Sequence, residues 1–338
     1  TVANLAFTGN GSTVTNDIDF ANDGTLTLGA SGGTQTYNGG LDTSGVGSTV
    51  TLNGTIATSN DAVTFGAVTL GSATTIDTNA SNTTGDIAIG AVTGGSNNLT
   101  LTTGDNVANS DITASGAISG LGNLTLADVG GTATFSANVA AAALSADSTV
   151  ANLVFTGASN TFSAASTLAN DGTLQFGDAT GDSFTFNGGL TTSDVGGTVT
   201  LNTSISTSND ALVFGAITLG NNITLDTNAT NTTGDLTIGA VTGGSNTLTL
   251  TTENNIANAD ITASGNISGV TTLTLTSVGG TATFAGDVDV TTLAVGNTVA
   301  NVAINGNGST ITNDIDFAND GTLQLGDATG DTLTFNGG

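Results

Sequence analysis

The pentapeptide Thr1-Val2-Ala3-Asn4-Leu5 returns as Thr149-Val150-Ala151-Asn152-Leu153, and again as Thr298-Val299-Ala300-Asn301-Val302. The two offsets are 148 and 149, and from Thr34 to Ser148 the first copy aligns with the second without a gap at 149. The chain therefore divides into one repeat over 1–148, a second over 149–297 and the start of a third over 298–338. A sequence that repeats itself in this way folds most simply as a stack of like units, each burying a face on the next.

A finer period lies inside the long one. Apolar-x-apolar triplets begin at Leu5, Leu26, Val50, Leu99 and Leu124 in the first copy, with Thr74, the one lead that is not apolar, between Val50 and Leu99. In the second they begin at Leu153, Leu174, Val199, Ile223, Leu248 and Leu273, and Val302 and Leu323 follow. The second-copy steps run 21, 25, 24, 25 and 25, and the last, from Leu273 to Val302, is 29. Read as one column, these triplets predict six turns of about 25 residues per repeat and about 14 turns in all. A second column contains Val63, Ile87, Ile112 and Ala133, with Phe184, Leu212, Leu236 and Ala282 in the second copy. A third set gathers at Leu41, Val68, Val92, Ile118 and Val139. Three apolar segments per turn, parted by Gly, Asn, Asp and Ser, describe a three-sided coil. The alternation of Leu with Thr, as in Leu248-Thr249-Leu250, is the period of a strand with one buried face.

The expected fold is thus all-β, a right-handed parallel β-solenoid (β-helix) whose repeats continue as one rod. The hand follows the general preference of parallel crossovers. Phe20, Tyr37, Phe65 and Phe135 are expected on its inner side as packing. A string of antiparallel sandwiches would also space strands by about 12 residues. Equivalent strands in a sandwich need not resemble one another, whereas these do.

Composition excludes most chemistry. The chain holds 27 Asp or Glu and no Lys, Arg, His, Cys, Met, Trp or Pro, for a net charge of −27. Thiolate nucleophiles, imidazole bases and sulfur or imidazole metal sites cannot be built from it. No basic track exists for nucleic acid, and the charge repels polyanions. No apolar run reaches the ~20 residues of a membrane span, so membrane insertion is not expected. Charged residues make up only 8% of the chain and hydrophobic ones 37%, which argues against disorder. The absence of Pro suits interior rungs, each of which needs its N–H groups.

Two surface features remain. Thr198, Thr200, Thr224, Thr247, Thr249, Thr251, Thr272, Thr274 and Thr276 are expected to form an outward hydroxyl array, a face resembling that of solenoid ice-binding proteins. Asp61, Asp86 and Asp111 are spaced by 25 and 25, and Asp210, Asp235 and Asp260 repeat that spacing. On one corner of successive turns their carboxylates would repel by about 1 kcal/mol in water and several times that in a less polar setting. Either they splay into solvent or a cation bridges them, and calcium is the hard cation that oxygen ligands suit. A further cluster, Asp17, Asp19 and Asp23, recurs as Asp314, Asp316 and Asp320. A catalytic carboxylate pair should occur once, in a cleft. These positions recur copy by copy with no insertion to build one, so no enzyme is expected.

The strings Leu-Thr-Leu-Thr, Val278-Gly279-Gly280-Thr281-Ala282-Thr283-Phe284 and Gly239-Ala240-Val241-Thr242-Gly243-Gly244 resemble the long β-strand-repeat surface proteins of bacteria, the filamentous-haemagglutinin-like adhesins and related exoproteins. The resemblance implies an extracellular, non-enzymatic filament or stalk at a bacterial cell surface, working in adhesion or spacing through a repeated surface. It also implies partners: further repeats of the chain, or neighbouring copies meeting laterally or end to end, and cell-surface or matrix glycans. A ligand-binding face for ice or glycan, stabilised by calcium, is the alternative. The third copy, which stops short at Gly338, leads to the expectation that this is a window on a longer array.

Overall fold

The computed structural model describes residues 2–81, 85–104, 107–230, 234–253 and 256–338; Thr1 of the first pentapeptide lies outside them. The described residues contain many short strands and no helix. They form two compact units, Thr1–Phe162 with Ala169–Leu174, and Ser163–Leu168 with Gln175–Gly338. Each is a parallel β-solenoid, and the coils number about 15 in all.

Alternation sets the strands. Along Val50–Thr58 buried and half-buried residues alternate through the whole strand, with Val50, Leu52 and Ile56 inward. Burying a Leu or Ile side chain contributes about 1.5–3 kcal/mol. A single turn supplies too few of these to fold alone, so the coils are stable only as a stack.

Three columns run through the first unit. One pairs Leu5 with Leu26, then Val50, Val68, Val92, Ile118 and Val139. The next pairs Ser12 with Gln35, then Ile56, Ile76, Leu101, Leu126 and Ala146. The last pairs Ile18 with Leu41, then Val63, Ile87, Ile112, Ala133 and Leu153. All these pairings are parallel.

The turn is shorter than the sequence columns led one to expect. Six steps carry Leu5 to Val139, and rungs lie about 22 residues apart in sequence. The sequence columns slipped where Val50 was matched to Thr74. Val50 pairs with Val68, while Thr74, Leu99 and Leu124 stack with one another on the next side. The span from Val50 to Thr74 holds one turn and a further side. The span from Leu124 to Leu153 does the same, passing Leu144 on the way. A repeat therefore winds through six turns and two further sides, not six turns. Leu41 and Phe184 were likewise matched to the wrong side, since Leu41 pairs with Val63 and Phe184 with Ile205. The column Val63, Ile87, Ile112, Ala133 stands as read.

This winding has a direct signature. Leu5 and Leu153 occupy equivalent places in the repeat, yet Leu5 stands in the first column and Leu153 in the third. The second unit behaves alike. Its columns run Val199, Ile217, Val241, Ile267, Val288; Leu190, Leu212, Leu236, Ile261, Ala282, Val302, Leu323; and Ile205, Leu225, Leu250, Leu275, Val295. Phe176 O accepts Asn202 N at 3.0 Å beside the Val199 column, whereas its counterpart Leu325 pairs with Ile304 in the Leu190 column.

The aromatic residues point inward as expected: Phe20, Tyr37, Phe65 and Phe135 are all buried. Phe135 stacks on Phe155 of the next rung at 4.9 Å, with rings 16° apart. Tyr37 lies on a different side from Phe65. Its hydroxyl donates to Gln35 Oε1 at 2.9 Å, and Gln35 Nε2 donates to Phe7 O at 2.8 Å. Burial pushes the Tyr37 hydroxyl up to about 12. Where Val50–Thr58 rounds a corner, Gly54 sits at φ 66°, and a Cβ there would come within 2.4 Å of Ala30 O and Gly33 O. Only glycine meets both conditions.

Candidate functional site

A coil corner interrupts the ladder, so backbone N–H groups at corners need other acceptors. Side chains of Asn and Asp supply them from the preceding rung. Asn4 Oδ1 accepts Thr25 N at 3.0 Å, Asn98 Oδ1 accepts Asn123 N at 2.8 Å and Asn138 Oδ1 accepts Ser159 N at 2.9 Å. In the second unit Asn222 serves Thr247 N and Asn266 serves Asp287 N.

The expected Asp series belongs to this system. Asp86 Oδ1 accepts Asp111 N at 2.9 Å, and Asp111 Oδ1 accepts Thr132 N at 2.7 Å. Asp235 Oδ1 accepts Asp260 N at 2.9 Å, and Asp260 Oδ1 accepts Thr281 N at 2.7 Å. Asp86 thus stacks in register on Asp111, and Asp235 on Asp260. Asp61 and Asp210 stand one residue out of line, because Val63 pairs with Ile87 and Leu212 with Leu236. Both take another arrangement, in which the main-chain oxygen of Asp61 accepts from Thr58 Oγ1 and that of Asp210 from Thr207 Oγ1. Asn and Asp perform one task at these corners, so the task requires an oxygen rather than a charge. Among the described residues no three or more acidic side chains converge to hold a metal ion.

Asp17 and Asp19 line a shallow depression of about 380 Å3 together with Asp42 and Asp61. Asp42 was not singled out in the sequence; its carboxylate caps Ser44 N at 2.7 Å. Exposed Asp331 is held below the usual carboxylate range by the N–H groups of Ala328 and Asp327.

The expected outward hydroxyl array is split between sides, and one of its members, Thr251, is buried. Thr224, Thr249 and Thr274 stack, as do Thr247 with Thr272 and Thr251 with Thr276. Thr200 faces elsewhere, in a file with Thr218 and Thr242. The first unit carries the matching file Thr55, Thr75, Thr100, Thr125 and Ser145, where Ser145 Oγ donates to Thr125 Oγ1 at 3.2 Å.

One pair escaped sequence reasoning. Asp226 is pushed up to about 6, by burial first and then by the neighbouring Glu253 carboxyl, while the N–H of Asn228 pulls the other way. Glu253 is the sole glutamate, and it stands where the first copy has Gly104. Both positions have positive φ, 48° for Glu253 and 70° for Gly104. Asp226 also borders a depression of about 200 Å3 shared with Asp182, Phe184 and Ser206. The signal in the sequence was a lone Glu replacing a glycine between two otherwise like segments.

Comparison with protein-family models, with curated proteins and with solved structures finds no match to this chain.

Proposed function

We propose that the chain is part of a structural filament or stalk outside a bacterial cell, serving adhesion or spacing rather than catalysis. One observation carries the reading: within each unit every side holds one parallel pairing per turn, and corner side chains complete the bonding between rungs. Such ladders resist opening because many bonds must break together. A surface without Lys or Arg offers trypsin no cleavage site, and one without Cys, Met or Trp has little to oxidise. Further repeats and neighbouring copies are the partners of this reading, with surface glycans bound through many weak contacts. Electron micrographs of native material test it. Filaments with an axial reflection near ~4.8 Å support it; dispersed single particles would overturn it.

The alternative, a calcium-stabilised binding face, draws support from the register stacking of Asp86 on Asp111 and of Asp235 on Asp260. A thermal midpoint that does not move on chelation would remove it.

A further inference from the structure

Four buried polar atoms have no hydrogen-bonding partner among the described residues: Asn22 Oδ1, Thr43 Oγ1, Asn170 Oδ1 and Thr192 Oγ1. They represent only two positions of the repeat. Asn170 is the second-copy counterpart of Asn22, and Thr192 that of Thr43. Buried polar groups without partners are strongly disfavoured, and each one calls for an explanation. Recurrence at the same two positions ties these to the coil itself.

In the first unit the two positions lie on neighbouring rungs of one corner. Phe20 N donates to Asp42 O and Gly47 N donates to Asn22 O, both at 2.8 Å. Val46 N closes a turn onto Thr43 O at 3.1 Å, so that turn lies over the bend at Ala21 and Asn22. A Cβ on Gly45 would come within 3.2 Å of Ala21 Cβ, so the rungs are in close contact there. The Asn22 amide nitrogen donates to Gly24 O and Thr25 O, each at 3.1 Å. Those two bonds fix which way the amide faces and leave Oδ1 as an acceptor. Asn170 makes the same donations, to Gly172 O at 3.2 Å and Thr173 O at 3.0 Å.

The corner thus presents an enclosed carbonyl oxygen and, on the facing rung, an enclosed hydroxyl able to donate and accept. A hard cation would need six or more oxygens, and an anion would be repelled by the carbonyl. The group that fits is small, neutral and able both to donate and to accept. We infer that a single structural water is bound between Asn22 Oδ1 and Thr43 Oγ1, joining two rungs at this corner. Buried waters typically make about three such bonds and are costly to remove.

The test uses the full chain and Thr43→Val, which keeps the side-chain shape and removes the hydroxyl. Oxygen-17 relaxation dispersion counts long-lived internal waters. The count is expected to fall by one in the variant, and the thermal midpoint to fall with it. An unchanged count overturns the inference. So does a raised midpoint, since removing a dry, unpartnered hydroxyl would stabilise the fold. On the unaltered chain, magnetisation transfer from water to the Thr43 and Val46 amides is expected. Its absence overturns the inference whatever the variant does.

Discussion

Replacing Asp226 by Asn should stabilise the protein at neutral pH and leave it unchanged in acid. Asp226 is held near pKa 6 against an ordinary value of 3.8. Its folded value is raised, so the folded state binds the proton more tightly than the unfolded chain. The associated stability is complete below about pH 3.8 and is lost as pH rises through about 6. Two pKa units correspond to about 3 kcal/mol. The carboxyl is only half-buried, so solvent screening reduces this to about 1 kcal/mol. Asn keeps an oxygen for Asn228 N, which donates to Asp226 Oδ1 at 2.7 Å, and it removes the repulsion from Glu253. Thermal melts of wild type and Asp226→Asn at pH 4 and pH 7.5 measure the effect. The two should coincide at the lower pH. At the higher, the variant should melt later by on the order of 2 °C. Glu253→Gln should act in the same direction. A variant that melts earlier at pH 7.5, or a gap that is the same at both pH values, would refute the reasoning.

Other substitutions probe the corners and the core. Asp86→Asn should leave the melting midpoint nearly unchanged, while Asp86→Ala, which strips the acceptor from Asp111 N, should cost about 1–2 kcal/mol in denaturant titration. Gly54→Ala should cost more than the ~1 kcal/mol typical of positive φ alone, because its Cβ would meet Ala30 O and Gly33 O at 2.4 Å; melts of the two proteins check this. Phe135→Ala should cost about 3–5 kcal/mol, since the ring is fully buried against Phe155; a loss below about 1 kcal/mol would mean the column can close over the gap. Gly104→Glu, which copies the second-repeat residue into the first, should lower the midpoint at pH 7.5 by placing a Cβ 2.8 Å from Asn79 Cα.

The strands and their inward residues were legible because alternation is a local property. Leu99-Thr100-Leu101 reads as a half-buried strand whatever lies beside it, and it is one. The column Val63, Ile87, Ile112, Ala133 was legible because its corners are of nearly constant length. The passage from Val50 was not. All three sides use the same apolar-x-apolar triplet, so a triplet does not announce which side it occupies. Val50 to Val68 is a short turn, and Thr74 then falls where a longer turn would have placed the next rung. The clue was the last step of each repeat, Leu124 to Leu153 and Leu273 to Val302, which is longer than every other step in the column. A turn that lengthens only there holds an extra side. The Asp226–Glu253 pair was hidden for a different reason: the column already set Ile223 on Leu248, and so Asp226 beside Thr251, but periodicity does not show that Glu253, two residues on and at positive φ, comes back against Asp226.

The winding bears on how the surface can act. Within each unit, residues one repeat apart lie on different sides of the coil, as Leu5 and Leu153 do, and as Phe176 and Leu325 do. Within a unit, a flat partner lying along one side therefore does not meet both members of such a pair. Avidity for such a partner falls with the spacing between usable sites. A stack bonded rung to rung loses nothing by the rotation, because every side carries the same kind of pairing and corners accept Asn or Asp alike. Within a unit the arrangement thus disfavours a one-sided strip built from residues one repeat apart. It leaves room for adhesion to partners that surround the coil or reach it from several directions.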